Sequence, residues 1–319
     1  MRAHHLAEWR LDDMEEKDLV IIGGGPAGLT AGIYGRRAEL DLVVLDSGVG
    51  GGQIANAGLV ENYPGFPEGI RGMELAEAFR QHALNTGVAL NVLEPVQTVS
   101  KEGNVFIVAT SKERYVAPAV IVATGLVHRK LGVPGEEELS GRGVSYCATC
   151  DGAFFKGRRV AVVGGGTGAA MAALNLSDLA KEIYVVTKRD SLKVAERIME
   201  TRLEKAGNIE VVPHARVEAI KGDQKVEGID MEVDGEKTHL AVDGVFVEVG
   251  KTPQTSFLES LPLELKKGYV VVDSAQMSSV PGLFSAGDVV YGSPKQVTVA
   301  VSQGTIAALS AYDYIKSRV

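Results

Sequence analysis

Two segments of the chain repeat one pattern, and this repeat limits the possible folds more than any other feature. The first runs from a short apolar stretch into glycines that begin at Gly23, then through a helical pattern to a second apolar stretch that ends at Asp46. The second begins its glycines at Gly164 and ends at Thr187. In each segment the strand end lies 23 positions after the first glycine. The order strand, glycine turn, helix, strand predicts an internally duplicated α/β fold.

Two further apolar stretches, which end at Gly125 and Gly250, mark where the chain crosses between the two predicted domains. After Gly250 a last strand ends at Gly287 and Asp288, in a tail too short to form a third core. The tail is therefore expected to complete the first domain. We predict two Rossmann-like dinucleotide-binding domains, the second inserted into the first. The predicted ranges are 1–124, of which 1–17 form an extension, then 125–250, then 251–319.

The glycines of each repeat have the spacing of a phosphate-binding loop. In such a loop the first glycine makes the turn, the second lets a pyrophosphate approach the backbone, and the third lets helix and strand pack closely. The start of the helix then offers unpaired N–H groups to the phosphates. Tight turns without a ligand are the alternative, which the flanking strand and helix disfavour. The residues that fit are Gly23, Gly25 and Gly28 in the first repeat and Gly164, Gly166 and Ala169 in the second.

The two repeats differ at the end of their second strand. Asp46 supplies an acid where an adenosine ribose would place its 2′-hydroxyl, which suits an unphosphorylated ribose. The second repeat ends in Thr187-Lys188-Arg189, whose cations could hold a 2′-phosphate or form a solvated basic strand end. Different ribose preferences indicate a flavin nucleotide in the first domain and a nicotinamide nucleotide in the second.

Cys147 and Cys150 are the only cysteines, and they lie just ahead of the second glycine loop. Such a pair can close a small disulfide ring and often contains a thiol of lowered pKa, which favours redox chemistry. A structural metal site usually needs two such pairs, and the six histidines are scattered, so we predict no metal. An inert buried pair is the other alternative. Asp151 follows directly and could either serve as general acid for a leaving thiolate or cap a turn.

The composition excludes some classes of partner. The net charge is −8, from 33 basic and 41 acidic residues, which does not favour a nucleic acid or an anionic membrane. No apolar run approaches the roughly 20 residues needed to span a bilayer. The charged N-terminus lacks the apolar centre of a signal peptide. We therefore expect a cytoplasmic protein with no nucleic-acid or membrane partner.

Taken together, these segments resemble the low-molecular-weight thioredoxin reductases over nearly the whole chain after about Asp18. The resemblance implies FAD in the first and last segments, a middle domain that binds a nicotinamide nucleotide and carries a redox-active disulfide, a thioredoxin-like partner, and a homodimer. Electrons would pass from a reduced donor through FAD to the disulfide and on to the partner. The matching segments are Gly23 to Gly28, Gly51 to Gln53, Glu61 to Gly65, Ala123 to Gly125, Cys147 to Asp151, Gly164 to Ala169 and Ala286 to Asp288.

The resemblance also implies roles for single residues. Cys150 would be the sulfur nearest the flavin, Cys147 the thiol that attacks the partner's disulfide, and Asp151 the acid–base residue. The implied FAD contacts are Gly23, Gly25, Pro26, Ala27, Gly28, Asp46, Gly52, Gln53, Asn62, Ala123, Thr124, Gly125, Gly287, Asp288, Gln296 and Val297. The implied contacts of NADPH are Gly164, Gly166, Thr167, Ala169, Lys188 and Arg189.

The middle domain departs from the family pattern. Met171-Ala172 stands where the family has a Glu-Glu pair, and Thr187-Lys188-Arg189 replaces a His-Arg-Arg. Lysine is a poorer bidentate phosphate ligand than arginine, so the donor stays open between NADPH, NADH and another reductant. Two other functions also stay open, namely a flavin-dependent dithiol oxidase that uses oxygen and a flavin-binding redox sensor.

Overall fold

The computed structural model describes residues 14–318, which form two compact units. The first comprises the chain up to Leu126 and from Pro253 onwards, and the second is Val127–Thr252. Each boundary between the units therefore lies two residues later in the chain than the corresponding boundary predicted above. Residues 1–13 of the predicted N-terminal extension lie outside the described residues.

The elements follow one another in chain order. The first segment holds strands β1 (Glu15–Glu16), β2 (Leu19–Ile22), β3 (Leu42–Leu45), β4 (Leu59–Val60), β5 (Ile70–Arg71), β6 (Ala89–Asn91), β7 (Val96–Glu102), β8 (Val105–Thr110), β9 (Arg114–Ala117) and β10 (Ala119–Val122), with helices α1 (Pro26–Arg37) and α2 (Gly72–Asn85). The connecting strand β11 (Leu126–His128) leads into β12 (Val144–Ser145), α3 (Ala148–Asp151), β13 (Arg159–Val163), α4 (Thr167–Ser177), β14 (Glu182–Val186), α5 (Arg197–Lys205), β15 (Ile209–Val212), β16 (Ala215–Lys221), β17 (Gly228–Val233), β18 (Glu236–Leu240) and β19 (Gly244–Val247). The chain returns through β20 (Lys251–Pro253) to β21 (Leu265–Lys266), β22 (Tyr269–Val270), β23 (Leu283–Ser285) and α6 (Val297–Lys316).

The first unit is built on a five-stranded parallel sheet in the order β23-β10-β2-β3-β6. All four residues of β2 are buried, as expected when both faces of a parallel sheet are covered. Leu19 and Ile21 pack into the core formed with α1 and α6, while Val20 and Ile22 pack into the core formed with a second sheet. That second sheet has the order β1-β9-β8-β7. Its edge strand β1 includes Glu15 and Glu16, which the sequence places in the extension.

Helices α1 and α6 lie in close contact within the first unit. A methyl group on Gly304 of α6 would collide with the backbone oxygen of Ala27 in α1, so the approach of the two helices requires a glycine there. No helix within residues 14–318 is both long enough and apolar enough to cross a bilayer.

The second unit repeats the architecture of the first. Its five-stranded parallel sheet has the order β12-β19-β13-β14-β15, and the antiparallel strands β16-β17-β18 cover one face. Val160 and Val162 pack against α4, whereas Ala161 and Val163 pack against the antiparallel strands. This confirms the prediction of two Rossmann-like domains with the second inserted into the first.

The repeat extends to single positions. Strands β2, β3, β6, β10 and β23 of the first sheet correspond in order to β13, β14, β15, β19 and β12 of the second. At the end of β10 the amide of Ala123 donates to the Ile22 oxygen (2.7 Å), and at the end of β19 the amide of Glu248 donates to the Val163 oxygen (2.8 Å). Ala123 and Glu248 therefore occupy equivalent places in the two units.

Candidate active site and cofactor loops

The two cysteines form a disulfide where β12 gives way to α3, with their Cα atoms 5.3 Å apart. This is the carboxyl end of a parallel strand, where α/β sheets commonly place their chemistry. The Cys150 amide donates a hydrogen bond to Cys147 Sγ (3.1 Å). A donor at that sulfur favours its negatively charged form, so the geometry suits Cys147 as the thiolate once the disulfide opens. Within residues 14–318 no cluster of three or more His, Cys, Asp or Glu side chains is placed to hold a metal ion.

The side chain of Asp151 is held beside this disulfide by a serine. Ser145 Oγ donates to Asp151 Oδ2 (2.6 Å) and accepts from the Cys147 amide (3.0 Å). The Asp151 side chain makes no capping hydrogen bond to the turn that follows it. The carboxylate is thus connected to the backbone of the cysteine pair, and the turn-capping alternative finds no support.

Sequence reasoning missed Ser145, although a signal was present. The residue ends the short strand β12, two positions before Cys147, and its side chain is buried. A buried hydroxyl requires hydrogen-bond partners, and the adjacent carboxylate and amide supply them. A polar residue at the end of an apolar strand just before a cysteine pair would have been the indication.

A cavity of about 290 Å³ opens beside the disulfide loop within the second unit. Ser145 and Asp151 form part of its lining, and Phe154, which is 79% exposed, lies at its edge. Besides Asp151, the charged residues of the lining are Arg142, Arg158, Lys225 and Asp243, and Arg158 forms an ion pair with Asp243 (3.4 Å). The surface next to the dithiol thus combines an exposed aromatic ring with three cations and two carboxylates.

The first glycine loop has room for a ligand at one glycine and none at the other two. A methyl group on Gly23 would collide with the Ala123 oxygen, and one on Gly28 would collide with the Gly23 oxygen. A methyl group on Gly25 would meet only Gly52 Cα, at an ordinary 3.8 Å. The first and third glycines are therefore required by the packing of the protein itself, while the second leaves a cradle that a pyrophosphate would fill.

Asp46 directly follows β3, and its side chain connects the first glycine loop to the loop that contains Gly48 and Gly50. Its carboxylate accepts hydrogen bonds from the amides of Gly24 (2.6 Å), Gly48 (2.8 Å) and Gly50 (3.3 Å). The acid predicted at the ribose position is therefore within reach of the phosphate-binding loop.

The other residues implied for FAD lie on the same unit, and several meet one another. Asn62 Nδ2 donates to Gln296 Oε1 (3.2 Å), although the two are far apart in sequence. Thr124 Oγ1 donates to the Gln254 oxygen (2.9 Å), and Gln53 Nε2 donates to the Leu126 oxygen. The remaining residues implied for FAD lie at the ends of helices and strands. Pro26 and Ala27 are the first residues of α1, Val297 is the first residue of α6, and Gly52 lies close to Gly25. Gly125 follows β10 with a left-handed backbone conformation, and Gly287 and Asp288 follow β23.

The second glycine loop is partly covered by the segment after β14. Arg189 Nη1 donates to the Gly165 oxygen (3.2 Å), and the Ala195 amide donates to Thr167 Oγ1 (2.9 Å). The backbones of Gly166 and Lys193 form a β-bridge. Three other residues are implied for NADPH. Gly164 lies against the backbone oxygen of Glu248, Ala169 is buried in α4, and Lys188 is exposed.

A carboxylate that the sequence analysis missed lies at the start of α4. Glu248 Oε2 would be 2.8 Å from a methyl group on Gly168, the second residue of that helix. Burial raises the pKa of Glu248, and the charge of Lys251 opposes this shift. The second loop thus combines an open second glycine, Gly166, with a carboxylate beside the start of its helix. The visible signal was a glutamate where the first repeat has Ala123.

The chain is similar to known proteins in both sequence and structure. The pyridine nucleotide-disulphide oxidoreductase family model matches residues 17–304. The thioredoxin reductase of Listeria monocytogenes is 42% identical over 95% of both chains. The T. acidophilum thioredoxin reductase structure has a TM-score of 0.89 at 40% identity, covering 96% of this chain and 100% of its own. The Lactococcus lactis thioredoxin reductase structure has a TM-score of 0.90 at 36% identity, covering 94% of this chain and 99% of its own. The chain therefore belongs to the thioredoxin reductases, within the pyridine nucleotide-disulphide oxidoreductase family.

Proposed function

We propose that this thioredoxin-disulfide reductase passes electrons through FAD, held by the first unit, to the Cys147–Cys150 disulfide and then to a thioredoxin-like protein. The observation that carries the proposal is the disulfide itself, with the Ser145–Asp151 pair hydrogen-bonded to its loop. The partner class rests on the names of the relatives, which are thioredoxin reductases.

The first unit supplies what FAD needs. FAD, when bound, provides the two-electron relay between the donor and the disulfide. The open face of Gly25 would take the pyrophosphate, and Asp46 would hold the adenosine ribose. The Asn62–Gln296 pair would lie along the flavin, with Asp288 at its ribityl chain.

The cysteines then carry out disulfide exchange with the partner. The Cys147 thiolate attacks one sulfur of the partner's disulfide, whose S–S bond breaks, and the other sulfur leaves as a thiolate and takes up a proton. Cys150 next attacks Cys147 in the mixed disulfide and releases the second partner thiolate, which is also protonated. The partner gains two electrons and two protons, and the Cys147–Cys150 disulfide is restored. Asp151 would be the acid–base group of these proton transfers.

The surface beside the disulfide would receive the partner. The exposed ring of Phe154 offers an apolar anchor, and Arg142 and Lys225 offer charges that an acidic protein surface would complement. The proposal also includes a homodimer, which rests on the family resemblance. It includes a cytoplasmic location too, since an accessible dithiol of this kind works in a reducing compartment.

The test uses the holoenzyme and avoids any choice of nucleotide donor. The wild-type enzyme is reduced anaerobically with dithionite, freed of excess reductant, and mixed with oxidised thioredoxin. We expect one thioredoxin disulfide to be reduced for each pair of electrons stored. Retention of the electrons on the enzyme would contradict the proposal. Rapid hydrogen peroxide production from a dithiol substrate in air, without NAD(P)H, would instead indicate the oxidase.

Replacing Asp151 with asparagine should slow thioredoxin reduction by about 10²-fold, because the variant keeps an acceptor for Ser145 but cannot exchange a proton. The rate is measured in the same dithionite-reduced assay. Asp151→Glu should recover part of the loss, which a purely structural role would not predict. Asp178→Asn, which removes an exposed carboxylate elsewhere on the second unit, is the matched control and should retain the wild-type rate.

A further inference from the structure

The duplication of the fold provides an internal comparison between the two glycine loops. In each unit the strand that pairs with the loop's own strand ends beside the first glycine, at Ala123 in one and Glu248 in the other. A methyl group on Gly23 would collide with the Ala123 oxygen, and one on Gly164 would collide with the Glu248 oxygen. The backbones are therefore arranged alike, and the side chains differ by one carboxylate.

That carboxylate lies beside the first turn of the helix at whose start a nucleotide would place its own negative charge. The pyrophosphate of a dinucleotide sits at the start of the helix that follows the glycine loop. In the second unit this is the first turn of α4, and Glu248 Oε2 is 2.8 Å from the place of a Cβ on Gly168. A pyrophosphate bound at this helix start would therefore have a glutamate as a neighbour, and juxtaposed like charges oppose binding.

The nearby cations are poorly placed to offset this repulsion. The Arg189 guanidinium donates to the Gly165 oxygen of the loop itself, and Lys188 is exposed beyond the strand end. Both follow β14, at the place where an adenosine 2′-phosphate would lie rather than at the pyrophosphate. Burial raises the pKa of the Glu248 carboxyl, while the charge of Lys251 opposes this shift and favours the charged form that would repel a phosphate.

We propose that Glu248 weakens the binding of pyridine nucleotides to the second glycine loop, and so makes NADPH and NADH poor electron donors to this enzyme. The consequence for the choice of electron donor rests on the proposed function. The affinity of the second glycine loop for a nucleotide can be measured without any turnover.

The test is equilibrium titration of the oxidised holoenzyme with NADP⁺ and with NAD⁺, which bind without reducing the flavin. Glu248→Gln removes the charge and keeps the size, and Glu248→Ala reproduces the first loop. For at least one nucleotide we expect both variants to bind about tenfold more tightly than wild type or better, equivalent to about 1.4 kcal/mol. Glu210→Gln removes an exposed carboxylate from the same sheet and should leave the dissociation constant within about twofold of wild type.

Two results would overturn the proposal. Equal dissociation constants for wild type and Glu248→Gln, with both nucleotides, would show that the carboxylate does not oppose binding. Weaker binding by Glu248→Gln would show that the carboxylate holds the nucleotide. Reduction of thioredoxin by the dithionite-treated wild-type enzyme needs no nucleotide, so its failure would count against the proposed function and not against the role of Glu248.

Discussion

Replacing Cys147 with serine should lower thioredoxin turnover by at least about 10³-fold while the flavin stays bound, since an alcohol cannot replace a thiolate in disulfide exchange. The flavin would be held by the first unit, and Cys147 belongs to the second. The measurement is the rate at which the dithionite-reduced enzyme reduces oxidised thioredoxin, with flavin content from the visible spectrum. Thr149→Ser, a change between the two cysteines, is the control and should keep the wild-type rate.

Replacing Cys150 with serine separates the two cysteines. If Cys147 is the attacking thiol, Cys150→Ser should trap a covalent enzyme–thioredoxin complex that Cys147→Ser cannot form. Non-reducing electrophoresis of each variant mixed with oxidised thioredoxin gives the answer. Accumulation of the complex in Cys147→Ser instead would exchange the proposed roles of the two cysteines.

Replacing Gly25 with alanine should produce a folded protein that has lost its flavin, with FAD affinity reduced at least about 10²-fold. The added methyl group has room among the protein atoms, with its nearest neighbour at 3.8 Å, but it occupies the place proposed for the pyrophosphate. Flavin content after dialysis and the circular dichroism spectrum report the two properties separately.

Gly28→Ala provides the contrasting variant. Its methyl group would collide with the Gly23 oxygen, so the helix must shift. We expect the free energy of unfolding to fall by about 3 kcal/mol. Gly207→Ala, in open space, is the neutral control. If Gly25→Ala kept a full complement of flavin, the phosphate-binding role of that glycine would be wrong.

The features that sequence reasoning found are those written within short stretches of chain. A glycine loop between a strand and a helix needs under 30 consecutive residues, and the cysteine pair needs four. Their meaning depends on local backbone geometry, which residue types restrict strongly. The duplication was visible for the same reason, because both repeats place their strands and glycines at the same spacing.

The features that it missed depend on register between distant strands. Glu248 belongs to no motif, and it reaches the second loop only because β19 pairs with β13. Ser145 becomes part of the site only when α3 turns Asp151 back towards β12. Strand β1 consists of two glutamates and pairs with β9. No apolar pattern in the sequence predicts that strand.

The strands that lead into and out of the inserted unit pair with each other as β11 and β20. The two ends of the insertion therefore lie side by side, so its removal would leave only a short gap for a turn to bridge. Closing a short gap costs little chain entropy, and neither strand belongs to the parallel sheet of the host. Such a junction allows one inserted module to be exchanged for another at Leu126 and Pro253 while the core of the host unit is left untouched.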